Sequence, residues 1–315
     1  MKLIKMSEKL GISITTISRV LTNDPNIKVK ESTKNKIIEF ALENGYEFKN
    51  KENKKEVLII TSYNKETELE DPYYKELRIL LEKELIKNNF KYKNIEYNNK
   101  IKFNKYNILI GHFNKNQLKD ISNNNKINIL CDSYTSEENI DCISFDYKHS
   151  VYNVLNVFIK RGHNKIAFIG GRDSYGSIDF REKYYKNYMI KNNKYNDKYI
   201  YVDKFNSATG YKGIKEIYKN NNPTAIFVAN DTIAIGCYKA LNEIGKIIGK
   251  DVSIIGFNNS DFAEFMTPQL SSVQLFINNI VKETIALLIE HITLKRKYSK
   301  KVTLSTKLVK RESLF

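Results

Sequence analysis

From Val57 onward the chain repeats one texture: a short, mostly apolar run, then a stretch long enough for a helix. The runs fall at residues 57–60, 108–110, 127–130, 166–169, 225–228 and 252–255, and Ile and Val dominate them. A strand that is apolar on both faces must be covered on both faces. That requirement points to a parallel sheet wrapped by crossover helices. About a dozen strands are too many for one comfortable open sheet, so two doubly wound lobes are expected over residues 57–315. The fold class is therefore α/β, and no internal repeat is visible.

Residues 1–47 read differently, as an all-α headpiece. Ile4, Met6 and Leu10 suit one short helix, and Ile14, Ile17, Val20 and Leu21 suit a second. Gly11 can take the left-handed turn between them, and Ser13 can cap the second helix. Ile37, Ile38, Ala41 and Leu42 mark a third helix. Residues 48–56 then form a polar linker carrying Lys49, Lys51, Lys54 and Lys55.

Several functions are disfavoured at once. No apolar run approaches the roughly 18–20 residues that cross a bilayer, and charges interrupt the N-terminus too often for a signal-peptide core. Three scattered cysteines (Cys131, Cys142, Cys237) form neither a disulfide framework nor a CxxC pair. A reduced, cytoplasmic protein is expected. The four histidines lack metal-ligand spacing, and there is no GxSxG elbow. Gly170-Gly171-Arg172-Asp173-Ser174-Tyr175-Gly176 does not meet the phosphate-loop pattern. His163, after Arg161-Gly162 at a helix end, reads as structural. No catalytic residue, metal site or cofactor is expected. The 52 Lys and Arg against 36 Asp and Glu give a net charge of +16, which favours a polyanionic partner without naming it.

The sharpest local signal is a helix-turn-helix. Reading DNA takes a second helix with short polar groups and an Arg in its first turns and an apolar back. Residues 13–19, Ser-Ile-Thr-Thr-Ile-Ser-Arg, supply this, with Ile17, Val20 and Leu21 inward and Ile14, Thr15, Ser18 and Arg19 outward. On spacing alone, an ordinary surface αα-hairpin fits equally well.

The segment Gly11-Ile12-Ser13-Ile14-Thr15-Thr16-Ile17-Ser18-Arg19-Val20-Leu21 resembles the G-V-S-x-x-T-V-S-R-x-L signature of the lactose-repressor (LacI/GalR) family. Further matches are Gly162-His163 with Ile166, the Pro223-Thr224-Ala225 to Asn230-Asp231 block followed by Ala234 and Gly236, residues 251–259, Leu270-Ser271-Ser272-Val273, and the ending at 306–313. Glu70-Asp71-Pro72-Tyr73-Tyr74 resembles the galactose-operon and multiple-sugar-metabolism branch. The resemblance implies a dimeric repressor whose headpiece reads operator double-stranded DNA. It also implies a core like periplasmic sugar-binding proteins, holding a sugar effector between its lobes.

By motif matching, base-reading positions fall on Ile14, Thr15 and Arg19, with Thr16 and Ser18 nearer the phosphates. Effector positions fall on Asp132, Arg181, Phe205, Asn230, Asp231 and Asn258. Convergent Asp, Asn and Arg groups with an aromatic face suit a hydroxyl-rich ligand. Two alternatives stand: Asn230 and Asp231 as a helix cap, and Phe205 as core. The chain departs from the family at Asn258, where many relatives carry Asp, and at residues 98–106, too short for the first lobe's second helix. Its linker lacks the leucine-bearing hinge helix that wedges into the minor groove. The function expected is sugar-controlled regulation of carbohydrate-use genes. A sugar-binding transport receptor and a sugar-modifying enzyme on a similar core are the rivals.

Overall fold

The computed structural model describes residues 3–21, 24, 27–44, 55–64, 68, 72–172 and 178–315. They divide into two compact units, Met1–Lys55 and Glu56–Phe315.

In the first unit, helices α1 (Leu3–Leu10), α2 (Ile14–Leu21) and α3 (Glu31–Glu43) enclose a small core. Met6, Ile17, Val20, Leu21, Ile37 and Ala41 are its buried members. Gly11 turns the chain at φ +66°, and Ser7 Oγ donates to the Ile12 carbonyl at 2.7 Å. Ser13 Oγ then accepts from the Thr16 amide at 3.1 Å, satisfying one of the amide donors that the start of α2 leaves open.

The second unit opens with β1 (Glu56–Thr61), α4 (Pro72–Lys87), β2 (Lys91–Glu96), β3 (Tyr106–Ile110), α5 (Lys115–Ser122), β4 (Ile127–Cys131) and β5 (Ile140–Phe145). These build the first lobe's sheet in the order β5-β4-β3-β1-β2, all parallel, with no helix between β2 and β3. The second lobe follows as α6 (Tyr147–Lys160), β6 (Ile166–Gly171), α7 (Phe180–Lys191), β7 (Ile200–Asp203), α8 (Ser207–Tyr218), β8 (Ala225–Val228), α9 (Asp231–Glu243), β9 (Ser253–Asn258) and β10 (Ser271–Gln274). The chain then returns through α10 (Ile277–Leu294), which packs on α4, β4 and β5. It adds β11 (Lys301–Leu304) beside β5 and ends with β12 (Lys307–Val309), the only antiparallel strand in either sheet among the described residues. Three passages therefore cross between the lobes. Two of them touch: the Asp146 amide donates to the Leu304 carbonyl at 2.8 Å, and the Ser150 and Thr306 hydroxyls lie 2.7 Å apart.

Every residue of β3, β5, β6 and β8 is buried, as two-sided cover demands. His163 is structural: its ring nitrogens lie 3.0 Å from the Thr224 and Ser253 hydroxyls, edge-on to Phe158 and Phe315. In the second lobe α8 and α9 touch backbone to backbone. A Cβ at Gly236 would stand 1.8 Å from the Ser207 carbonyl oxygen, and one at Gly210 would stand 2.0 Å from that of Ile233. Backbone cannot yield as a flexible side chain does. Gly236→Ala should therefore lower unfolding stability by about 1–3 kcal/mol, the usual range for overpacking. Denaturant titration checks this, and an unchanged midpoint would show that the helices can slide apart freely.

Candidate DNA-reading surface and ligand cleft

On α2 the expected division of faces is present. Ile17, Val20 and Leu21 are buried, while Ser13, Ile14, Thr15 and Arg19 are exposed and Thr16 and Ser18 are half-buried. Arg19 pairs with Asp24, Nε to Oδ2 3.2 Å. Of the linker lysines, Lys55 is described and exposed; Lys49, Lys51 and Lys54 lie outside the described residues.

In the second unit the C-terminal ends of β4 in the first lobe and of β8 and β9 in the second converge on Tyr147 and Arg181, at the cleft between lobes where open α/β sheets usually hold ligands. Asp132 follows β4 in the left-handed region at φ +60°, a conformation uncommon for residues other than glycine. Its carboxylate accepts from Tyr73 Oη at 2.6 Å and Tyr147 Oη at 2.9 Å. Tyr73 comes from α4, and Tyr147 is the first residue of α6 beyond the lobe crossing. Tyr147 in turn stacks between Phe180 and Phe257, each at 5.8 Å between centroids.

Arg181 enters from the start of α7 with its side chain 13% exposed. Asp179, the residue that caps this helix, grips the guanidinium in a fork: Nε to Oδ1 2.7 Å, Nη2 to Oδ2 2.9 Å. Nη1 donates to the Ala229 carbonyl at 2.6 Å. The guanidinium carbon lies 5.1 Å from the Phe205 ring centroid, 5.4 Å from Phe257 and 5.9 Å from Tyr147. An arginine has five N–H donors, so two remain beyond these bonds. Phe205 is half-buried, lying against the guanidinium and packed on the core.

Asn258 ends β9 at φ +102°, half-buried beside Phe257, and its side-chain amide has no hydrogen-bond partner among the described residues. Asn230 and Asp231 are used differently. Both have no exposed surface. The Asn230 side chain caps α9, accepting from the Ile233 amide at 2.8 Å. Asp231 accepts from Ser272 Oγ at 2.6 Å and the Ser260 amide at 2.7 Å, pinning the loop after β9 to β10. Gly256 makes room for it, since a Cβ there would meet Asp231 Oδ1 at 2.1 Å.

The structure thus brings Asp132, Arg181, Phe205 and Asn258 to one cleft and gives Asn230 and Asp231 a cap and a pin beneath it. Tyr73, Tyr147, Phe180 and Asp179 also belong to the cleft, and motif matching does not name them as site residues. The Pro72-Tyr73-Tyr74 segment is the one sequence signal that touches this group. Among the described residues no group of histidine, cysteine and acidic side chains could hold a metal, and no helix is long and apolar enough to cross a membrane.

Burial pushes the Asp132 carboxyl up to about 6, against the opposing pull of the two tyrosine hydroxyls. The folded state therefore holds this proton more tightly than the unfolded chain. The stability it contributes is full below about pH 4 and lost as pH rises through about 6. The ionised carboxylate is the stronger acceptor for ligand hydroxyls, so ligand affinity should fall as pH drops below about 6. Calorimetric titration from pH 5 to 8 would show this step vanishing in Asp132→Asn; a step that persists would assign it to another group.

A model of the periplasmic binding protein-like domain matches residues 155–314. The HTH-type transcriptional regulator GanR of Bacillus subtilis (strain 168) is 28% identical over 323 residues, covering 98% of each chain. The HTH-type transcriptional regulator GalR of Streptococcus thermophilus is 30% identical over 320 residues, covering 96% of each. In fold, the chain is similar to the transcriptional regulator CelR in its cellobiose complex, with a TM-score of 0.72, 19% identity and 99% coverage of both chains. It is likewise similar to the lac repressor dimer bound to operator and the anti-inducer ONPF, with a TM-score of 0.71, 16% identity and coverage of 100% of this chain and 99% of that one. The chain belongs to the LacI/GalR family of helix-turn-helix transcriptional regulators, and it is a regulator rather than an enzyme.

Proposed function

We propose that this regulator is a cytoplasmic homodimer that represses carbohydrate-use genes and is controlled by a sugar or sugar phosphate, galactosides included, bound between its lobes. The observation that carries the sugar is the cleft itself. Among the described residues, a guanidinium locked by Asp179 keeps two donors open, an Asn258 amide without a hydrogen-bond partner lies beside Phe257, and aromatic rings supply faces for the C–H side of a pyranose. Cellobiose in the CelR complex and lactose in a LacI-family regulator from Arthrobacter sp. FB24 are ligands of the same kind. Ser13, Ile14, Thr15, Thr16, Ser18 and Arg19 would carry operator contact, with residues 1–47 as headpiece, 48–56 as linker and 57–315 as core.

Homodimerisation is supported by an apolar patch on the second lobe. Phe265 is 78% exposed and Ile235 43%, and with Tyr238, Phe262 and Met266 they line a recess of about 310 Å³. The deciding experiment selects operators from random duplexes, then titrates the complex with mono- and disaccharides and their phosphates. Release or tightening by one of them supports the reading. Sequence-specific binding that no sugar or sugar phosphate alters would overturn the effector.

The linker lysines fit phosphate tracking better than insertion between bases. Replacing Lys49, Lys51, Lys54 and Lys55 by Gln should lower the log–log salt slope of operator binding by up to about 0.9 per lost contact, with base preference kept. An unaltered slope would leave these lysines as solvated side chains.

A further inference from the structure

At the N-terminal ends of the first lobe's central strands, opposite the cleft, lies a cavity of about 650 Å³. Strands β3 and β4 begin at it, with Tyr106 and Ile127 in its wall, and β4 ends one residue before Asp132 in the cleft. At about 3.3 Å per residue, a five-residue strand puts roughly 15 Å between the two places. Lys105, Lys126, Lys295 and Lys297 surround it, all exposed, and none has an acidic partner among the described residues. Its one carboxylate, Asp141, is fully committed. Arg296 pairs with both of its oxygens, His291 Nε2 lies 3.0 Å from Oδ2, and the Lys300 amide donates to Oδ1 at 2.7 Å. Among the described residues, the cavity is therefore walled by lysines whose charge no free carboxylate in its lining offsets.

Its construction adds to this. Lys295 closes α10 in the left-handed region at φ +48°, where glycine or asparagine is the usual residue. The reversal there delivers Arg296 to Asp141 and leaves the lysine at the rim. Below, Asn128 Nδ2 donates to the Ile121 carbonyl at 3.1 Å, and its Oδ1 accepts from Asn107 at 3.0 Å, giving a rigid polar floor. A volume of this size falls in the usual range for small-molecule pockets. Its concave shape favours a compact ligand over the extended backbone of a duplex.

We propose that this cavity is a second ligand site, separate from the cleft, for a multiply anionic, phosphate-bearing small molecule. Helix α10 connects the two sites. His291 and Ile292 line the cavity, and Thr284, two turns earlier, donates to Cys131 Sγ at 3.3 Å, next to Asp132. An anion drawn against Lys295 and Lys297 acts on the end of the helix that buttresses the cleft's carboxylate.

Inorganic pyrophosphate, titrated calorimetrically into the full chain at constant ionic strength, is the probe. One saturable site per subunit is expected. A variant carrying Lys126→Gln, Lys295→Gln and Lys297→Gln should bind at least about tenfold more weakly, because hydrogen bonds to charged groups are among the stronger ones. Arg181→Ala should bind the probe as the parent chain does. Thermal unfolding confirms that each variant folds. Three results would overturn the proposal: no saturable binding, equal affinity in the lysine variant, or loss of binding in Arg181→Ala, which would place the anion in the cleft. A lysine variant that lowers only the salt slope of operator binding would assign these lysines to DNA phosphates instead.

Discussion

Arg181→Ala should abolish the response to sugar while leaving operator affinity close to that of the parent chain. Hydrogen bonds from a charged donor contribute about 1.5–3 kcal/mol each. The two N–H groups left open by Asp179 and Ala229 would thus account for a loss on the order of a hundredfold or more in sugar affinity. The fork on Asp179 holds the group in place before the ligand arrives, so little ordering entropy is lost on binding. Removing the guanidinium also leaves the half-buried Asp179 carboxylate with only the Arg181 amide as its partner, which costs some stability. Arg181→Lys separates the two effects, since it keeps the charge near Asp179 and loses the planar fork. Both variants should lose the sugar response, and the lysine variant should keep more of the fold stability. Effector titration against operator binding, beside thermal unfolding, checks this. A response at parent sugar concentrations in Arg181→Ala would remove Arg181 from the site.

How much of the fold is legible in the sequence depends on what each element buries. The central strands are readable because β1, β3, β4, β6, β8 and β9 are covered on both faces and carry almost nothing but apolar side chains. β2 is an edge strand of exposed and half-buried residues, Lys-Tyr-Lys-Asn-Ile-Glu, and leaves no apolar run to find. β5 hides for another reason: buried Asp141 and Ser144 interrupt it, and Asp141 is tolerated only because Arg296, more than 150 residues later, reaches back to it. The site divides in the same way. Arg181, Phe205, Asp132 and Asn258 sit where local motifs could be matched. Tyr147 owes its place to the chain crossing between lobes just before it, and Tyr73 to a helix, α4, that packs on α10 and β2. No spacing rule carries that information. The Asn230-Asp231 pair shows the reverse case, for a polar pair at a helix start, matched to ligand contact by motif, can also read as a cap, and only burial and the bond to the Ile233 amide show the second job being done.

Replacing Arg19 by alanine should relax base preference at one position in each operator half-site. The side chain is 57% exposed and pairs with Asp24 at 3.2 Å. An exposed pair of this kind stabilises by only about 0–1 kcal/mol. A bidentate fork on guanine O6 and N7 contributes about 1–3 kcal/mol of discrimination. Exchanging the carboxylate for the base edge is therefore downhill. Two consequences separate this from a simple charge effect. Arg19→Lys should lose most of the preference despite keeping the charge, because an ammonium has no planar fork. Asp24→Asn should strengthen binding slightly and evenly across sequences, since it removes a negative charge near the DNA without touching readout. Binding profiles over every single-base variant of the operator measure all three. An Arg19→Ala profile that keeps its shape while weakening uniformly would move Arg19 to a phosphate, and base reading would then fall to Ile14 and Thr15 at the start of the same helix.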